Sequence, residues 1–171
     1  MDFRSLLTDF PAGTEKDLLV GEVIKSESHF KALLQLALHE KDPVAWRACW
    51  VLDGSDELKP GLARKHISKI VKALPGLESK GTLRSLLRLL SRYEIPKEEQ
   101  GLLIDLCFSY LVSELYPVAV KVHAMQIIYM HVLLYPELKD ELVAVIEDQI
   151  DNNSVGFLSR GRRLIKQMEK L

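Results

Sequence analysis

The sequence predicts an all-α chain, an α-α superhelix (solenoid) of about four helical pairs behind an N-terminal cap, on three observations. Almost every long segment carries apolar residues at helical spacing, and none sustains the alternation of a half-buried strand. Pro, Gly, Ser and Asp collect between those segments, where helix ends belong. The chain also repeats itself: Pro43-Val44-Ala45 returns as Pro117-Val118-Ala119, an offset of 74 residues, or twice 37.

The period of 37 orders the elements. It carries Trp46 to Leu83 and Val120, Cys49 to Leu86 and His123, and Trp50 to Leu87 and Ala124. One helix earlier it carries Leu33 to Ile70 and Cys107, and Leu34 to Val71 and Phe108. A fourth copy, slightly out of step, brings Arg160 near the same place. Residues 1–25 fall off this ladder and read as the cap that hides one flank of the array, ahead of repeats over 28–171 in a single domain. The first helices of the pairs are expected near 28–40, 62–74, 97–113 and 136–150. The second helices are expected near 43–53, 80–92, 117–133 and 155–170. Asp42, Ser79 and Ser154 precede second helices, where a side-chain oxygen accepts from free backbone N–H groups. Pro43, Pro117 and Pro136 stand at or near first positions, where a missing N–H costs nothing. Gly54 is expected to end the first of the second helices.

Composition narrows the function classes. In 171 residues, 47% apolar and 27% charged content is that of a packed globular chain rather than a disordered one. A net charge of −1 gives no global attraction to nucleic acid or to an anionic membrane. Cys49 and Cys107 lie in apolar stretches without metal-ligand spacing, which suits reduced thiols in a cytoplasmic protein. The start, "MDFRSLLTDF", lacks the basic and apolar regions of a signal peptide, and no apolar run is long enough to span a membrane.

The second helices open with Pro followed by an apolar-basic pattern, as in Val120-Lys121-Val122-His123-Ala124, and this resembles HEAT repeats. The resemblance covers residues 28–171 and extends to small bacterial HEAT-like proteins. It implies a helical scaffold in which a turn aspartate and a basic residue of the second helix form a ladder. Asp42 and Arg47 match both positions; the next two repeats keep Arg84 and Lys121 but carry Ser79 and Tyr116 at the acid's place. A more distant similarity, to HEAT-like alkylpurine DNA glycosylases, would make Trp46, Trp50 and Asp53 a base-handling cleft in a nucleic-acid-binding protein.

Position by position, the ladder favours a plainer account. Trp46, Cys49 and Trp50 share a helix face with leucine partners, so the tryptophans read as core. Asp53 is the exception, since its partners are Leu90 and Ile127; a helix end at Gly54 would let it reach solvent. Charge is segregated: residues 59–92 hold nine basic side chains against Glu78 alone, and residues 93–158 hold three against eleven acids. Arg84, Arg88 and Arg92 recur every four residues opposite the leucine stripe and should face solvent. Met125 and Tyr129 take the places of Arg88 and Arg92 one repeat later and read as core. The last helix, "GFLSRGRRLIKQMEKL", is basic and amphipathic and reads as the closing cap.

No phosphate loop, HExxH, CxxC or nucleophile elbow occurs, and the five histidines lack ligand spacing. The expectation is therefore a non-enzyme with no cofactor and no metal. It would be a scaffold offering a concave surface to a macromolecule, with Arg47, Arg84, Lys121 and Arg160 as a row of basic contacts. Arg88 and Arg92 would extend that row. The expected partner is a protein with an acidic or phosphate-bearing segment, ahead of nucleic acid and without a membrane.

Overall fold

The protein was analysed as a computed structural model, which describes residues 1–9 and 14–171. The described residues form ten α-helices, with short 3₁₀ turns at Arg64–His66, Leu74–Gly76 and Pro136–Leu138 and no strand. In chain order the helices are α1 Phe3–Thr8, α2 Thr14–Val23, α3 Glu27–His39, α4 Val44–Leu58, α5 Ile67–Ala73, α6 Lys80–Leu90, α7 Lys97–Val112, α8 Val118–Val132, α9 Lys139–Ile150 and α10 Val155–Met168. They divide into two compact units, Met1–Ile95 and Pro96–Leu171. The fold is all-α, and α3/α4, α5/α6, α7/α8 and α9/α10 are the four expected pairs. The segment expected to cap the array includes residues 10–13, which lie outside the described residues.

In the first unit α4 is the centre. It packs against α3 and α6 and also receives α1 and α2. Its inner faces bury Ala48, Cys49, Val51 and Leu52 among Leu33, Leu34, Leu83, Leu86 and Leu87. Every one of those leucines is at most 2% exposed, so the leucines of the 37-residue ladder are core positions, whereas its members Trp46, Trp50, Phe108 and His123 are half-buried. Three caps fix helix starts: Asp2 Oδ1 accepts from the Ser5 N–H at 3.2 Å, Ser26 Oγ from the Ser28 N–H at 3.2 Å, and Ser79 Oγ from the Thr82 N–H at 3.1 Å. Asp42 does not cap α4, because Pro43 occupies the N-cap position and no side chain bonds there. Ser154 does hold the N-cap position of α10, but without a side-chain bond.

The expected stop at Gly54 is wrong. Helix α4 runs on to Leu58, and the chain turns only at Gly61, whose φ of 103° suits a residue without a Cβ. Gly54 serves packing instead: a Cβ there would stand 3.0 Å from Lys16 Cε and 3.3 Å from Val20 Cγ2, so its smallness lets α2 lie close. The consequence reaches Asp53, which now lies inside a helix rather than at its end.

In the second unit α8 packs against α7, α9 and α10 around Leu103, Cys107, Leu111, Val120, Ala124, Ile128, Leu142 and Phe157. Met125 is fully buried, as expected of a core residue, and Tyr129 is half-buried. Helix α10 turns Phe157, Leu164 and Met168 inward and leaves Arg162, Arg163 and Lys166 exposed. Gly161 lets it approach α9, because a Cβ at that position would meet Ile146 Cγ2 at 2.7 Å.

Gly161→Ala is therefore expected to lower stability by about 1–3 kcal/mol through overpacking, despite alanine's better helix propensity. Urea unfolding measures this, and the same substitution should cost less in an Ile146→Ala background, where the opposing methyl group is gone. Gly156→Ala in the same helix, where the nearest atom is Ser154 Oγ at 3.8 Å, should show no such penalty.

Candidate functional site

Helices α4 and α6 lie side by side in the first unit, and their contact holds the densest polar cluster among the described residues. Continuing α4 past Gly54 keeps Asp53 and Asp56, three residues apart, on the side facing α6. Both are buried, at 3% and 2% exposure. Two ionised carboxylates taken out of water must be compensated by charge and hydrogen bonds. Helix α6 and the turn after it supply both.

Arg88 donates from Nη1 to Asp53 Oδ2 and from Nη2 to Glu57 Oε1 at 3.1 Å. Arg92 places Nη2 2.8 Å from Asp53 Oδ1 and 3.3 Å from Asp56 Oδ2. Asp56 Oδ1 accepts from the Tyr93 hydroxyl and from the Ala63 N–H at 3.0 Å, while Tyr93 Oη accepts from the Gly61 N–H at 3.0 Å. One carboxylate thus ties together α4, the Gly61–Ala63 turn and Tyr93 in the turn after α6. Burial disfavours the Arg88 cation, yet Asp53 and Glu57 outweigh it and hold its pKa above the usual value. Burial, reinforced by the Asp56 carboxylate, pushes the Tyr93 hydroxyl up to about 12.

The remaining basic residues fare differently from the expected row. Arg47 reaches back to α1, donating to the carbonyls of Leu7 at 2.7 Å and Thr8 at 2.9 Å, where it completes the end of that helix. Lys121 is 6% exposed and donates to Gln149 Oε1 at 2.8 Å; burial lowers its pKa. Arg160 donates to Gln126 Oε1 at 2.7 Å, and burial followed by the nearby Arg163 charge lowers its pKa. Three of the four members are thus spent on holding neighbouring elements. Arg84 alone of that row is exposed, on the outer face of α6. Arg88 on the same helix and Arg92 in the turn after it lean towards α4 instead, with side chains 43% and 29% exposed.

The tryptophans are half-buried rather than core-filling. Their ring centroids are 6.2 Å apart at 38°, with Lys16 4.6 Å over Trp50 and Arg47 5.7 Å from Trp46. Each therefore presents a face to a cation from its own unit. A base-handling cleft needs Asp53 open to its substrate, and here Asp53 is closed behind two guanidiniums. The three residues do not line an open cleft.

Asp56, Glu57 and Tyr93 were not singled out by the sequence. A signal existed: Arg88 and Arg92 straddle Leu90, the ladder partner of Asp53, by two residues on each side. Among the described residues no cluster of His, Cys, Asp and Glu could hold a metal ion, and no helix is long and apolar enough to cross a membrane.

A family model described as a HEAT repeat domain matches residues 4–168, almost the whole chain. Neither the curated proteins nor the solved structures include a match to it.

Replacing Arg88 and Arg92 together by alanine should destabilise the protein by about 3–5 kcal/mol, because it strands two buried carboxylates. Replacing only exposed Arg84 by alanine should change stability by less than about 0.5 kcal/mol. Chemical denaturation of the two variants checks the contrast.

Proposed function

Since the chain belongs to the HEAT-repeat family, we propose that it is a non-catalytic scaffold binding a macromolecular partner along its second helices. In such arrays packing fixes the backbone and leaves the outward side chains open to variation, so recognition lies in the surface rather than in a pocket. The observation that carries this reading is the outer face of α6. There Arg84 is exposed, and one turn on, Arg88 is held in a fixed orientation with part of its fork accessible.

That chemistry suits a protein segment bearing carboxylates or phosphates. A guanidinium gives two parallel N–H donors to either group, and a guanidinium already held by Asp53 loses less side-chain entropy on binding. Charge in this region is more balanced than the basic run of residues 59–92 suggests. Asp53, Asp56 and Glu57 stand against Arg88 and Arg92, so the attraction rests mainly on Arg84. Close hydrogen bonding, rather than long-range steering, would then set affinity.

Arg84→Glu should weaken capture of the partner from the native cell by about 10–100-fold, the equivalent of one charge-assisted hydrogen bond lost, without loss of helicity. Quantified affinity capture on matched beads, followed by titration of the recovered partner, measures it. Equal capture by the two proteins would remove α6 as the contact surface. Arg88→Glu is a poor probe, because it sets a third acid against Asp53 and disturbs the fold.

A further inference from the structure

In the first unit the turns of two neighbouring helix pairs stand apart and enclose a cavity of about 440 Å³. One wall is the end of α3 with the turn into α4, from Leu38 to Asp42. The other is the turn into α6, with Leu77 and Glu78. Ala45 and Thr82 lie at the bottom, both buried. The volume is that of a small-ligand site.

Three acceptors around this cavity lack a donor. Thr82 is fully buried, and Ser79 Oγ takes its N–H, so it meets the cavity through its hydroxyl. That hydroxyl has no oxygen or nitrogen partner; the Cys49 sulfur beside it is a weak one and leaves the oxygen lone pairs unmet. Burying an oxygen in this way is costly unless a group entering the cavity completes it. Asp42 and Glu78 stand exposed on the two walls, and neither carboxylate has a hydrogen bond or ion pair among the described residues. Asp42 is close to the floor. After burial itself and Asp53, its charge helps to raise the pKa of the Cys49 thiol. Glu40 is taken by Arg4, whose Nε is 3.0 Å from Oε1, while His39 and Lys41 stand exposed at the rim. The end of α3 adds carbonyls without intrahelical donors and the negative end of its dipole.

We propose that this cavity binds a primary alkylammonium group, carried by a small amine or by a lysine side chain of a partner protein. An ammonium has three N–H donors and no acceptor, which matches a site offering one hydroxyl and two carboxylates from different sides. Asp42 and Glu78 meet its charge through charge-assisted bonds, and its methylene stem lies against Leu38, Ala45 and Leu77. The same two acids repel carboxylates and phosphates, so the cavity and the α6 surface select opposite chemistries. The two are also separate in space: Thr82 and Arg84 stand about 160° apart around α6.

Calorimetric titration with n-butylammonium chloride at constant ionic strength tests the proposal. Saturable binding in the millimolar range is expected, and Asp42→Asn and Glu78→Gln should each weaken it by about tenfold. Thr82→Val, which keeps the shape and removes the lone pairs, should weaken it as well. The two charge variants are altered only at exposed positions, and circular dichroism verifies their fold, so the test stands even if Thr82→Val folds poorly. Butyltrimethylammonium keeps the charge without N–H donors and should bind about tenfold more weakly. A capped peptide with one lysine separates the two sources. Affinity above that of butylammonium supports a partner's side chain, and equal or lower affinity supports a free amine. No saturable binding of either probe would overturn the proposal, as would binding unchanged in both charge variants or equal binding of the trimethyl compound.

Discussion

Two buried carboxylates constrain the first unit more than any other feature. Asp53 and Asp56 sit inside a helix at positions where the neighbouring repeats place apolar residues, and an unpaired charge there would cost several kcal/mol. Their compensation requires α6 to lie in one register beside α4, so that Arg88 and Arg92 meet the acids from above. It also requires the chain to turn where it does after α4. The Ala63 N–H and the Tyr93 hydroxyl are both needed at Asp56, and Tyr93 in turn binds the Gly61 N–H. The leucine layer between the helices supplies most of the stabilisation. The polar cluster selects one arrangement of that layer, because sliding α6 by a turn would keep leucine against leucine but separate every ion pair.

The same constraint limits what the surface offers. Nine basic side chains over residues 59–92 look like a strongly cationic patch, but the acids that balance them come from a preceding helix, outside that window. Lys65 reaches Glu27 on α3, Lys59 donates to the Ile24 carbonyl, and Arg88 on α6 and Arg92 just after it turn to α4. Solenoid helices share their flanks with neighbours from other repeats, so charge summed along the chain is a poor guide to charge presented in space. The acidic stretch of the second unit is the converse case: Asp140, Glu147 and Asp148 on α9 are exposed at the surface.

Much of the architecture was legible in the sequence because a repeat applies one packing rule several times. Leu83, Leu86 and Leu87 identified the inner face of α6, and the period transferred that face to α4 and α8. Asp53 shows where the reading failed and why. The ladder places position 53 among buried residues, whereas Gly54 beside it is a local signal for an exposed helix end, and the two conflict. Glycine inside a helix costs only about 1 kcal/mol, which close packing of α2 against Gly54 offsets. The actual stop was also written in the chain, five residues on, as Lys59-Pro60-Gly61. For the basic row the limit was different in kind. Arg47, Lys121 and Arg160 are equivalent by spacing, yet whether each faces solvent or a neighbour depends on carbonyls and glutamines contributed by other helices, which no periodicity reveals.

The central claim is that Asp53 and Arg88 are energetically coupled across the α4–α6 contact. A double-mutant cycle measures this directly, using the unfolding free energies of the wild type, Asp53→Ala, Arg88→Ala and the double variant. Coupling of more than about 1 kcal/mol, with the double variant no worse than Arg88→Ala alone, is the predicted result. Strictly additive losses would mean that the two side chains act independently and that the leucine layer alone sets the register.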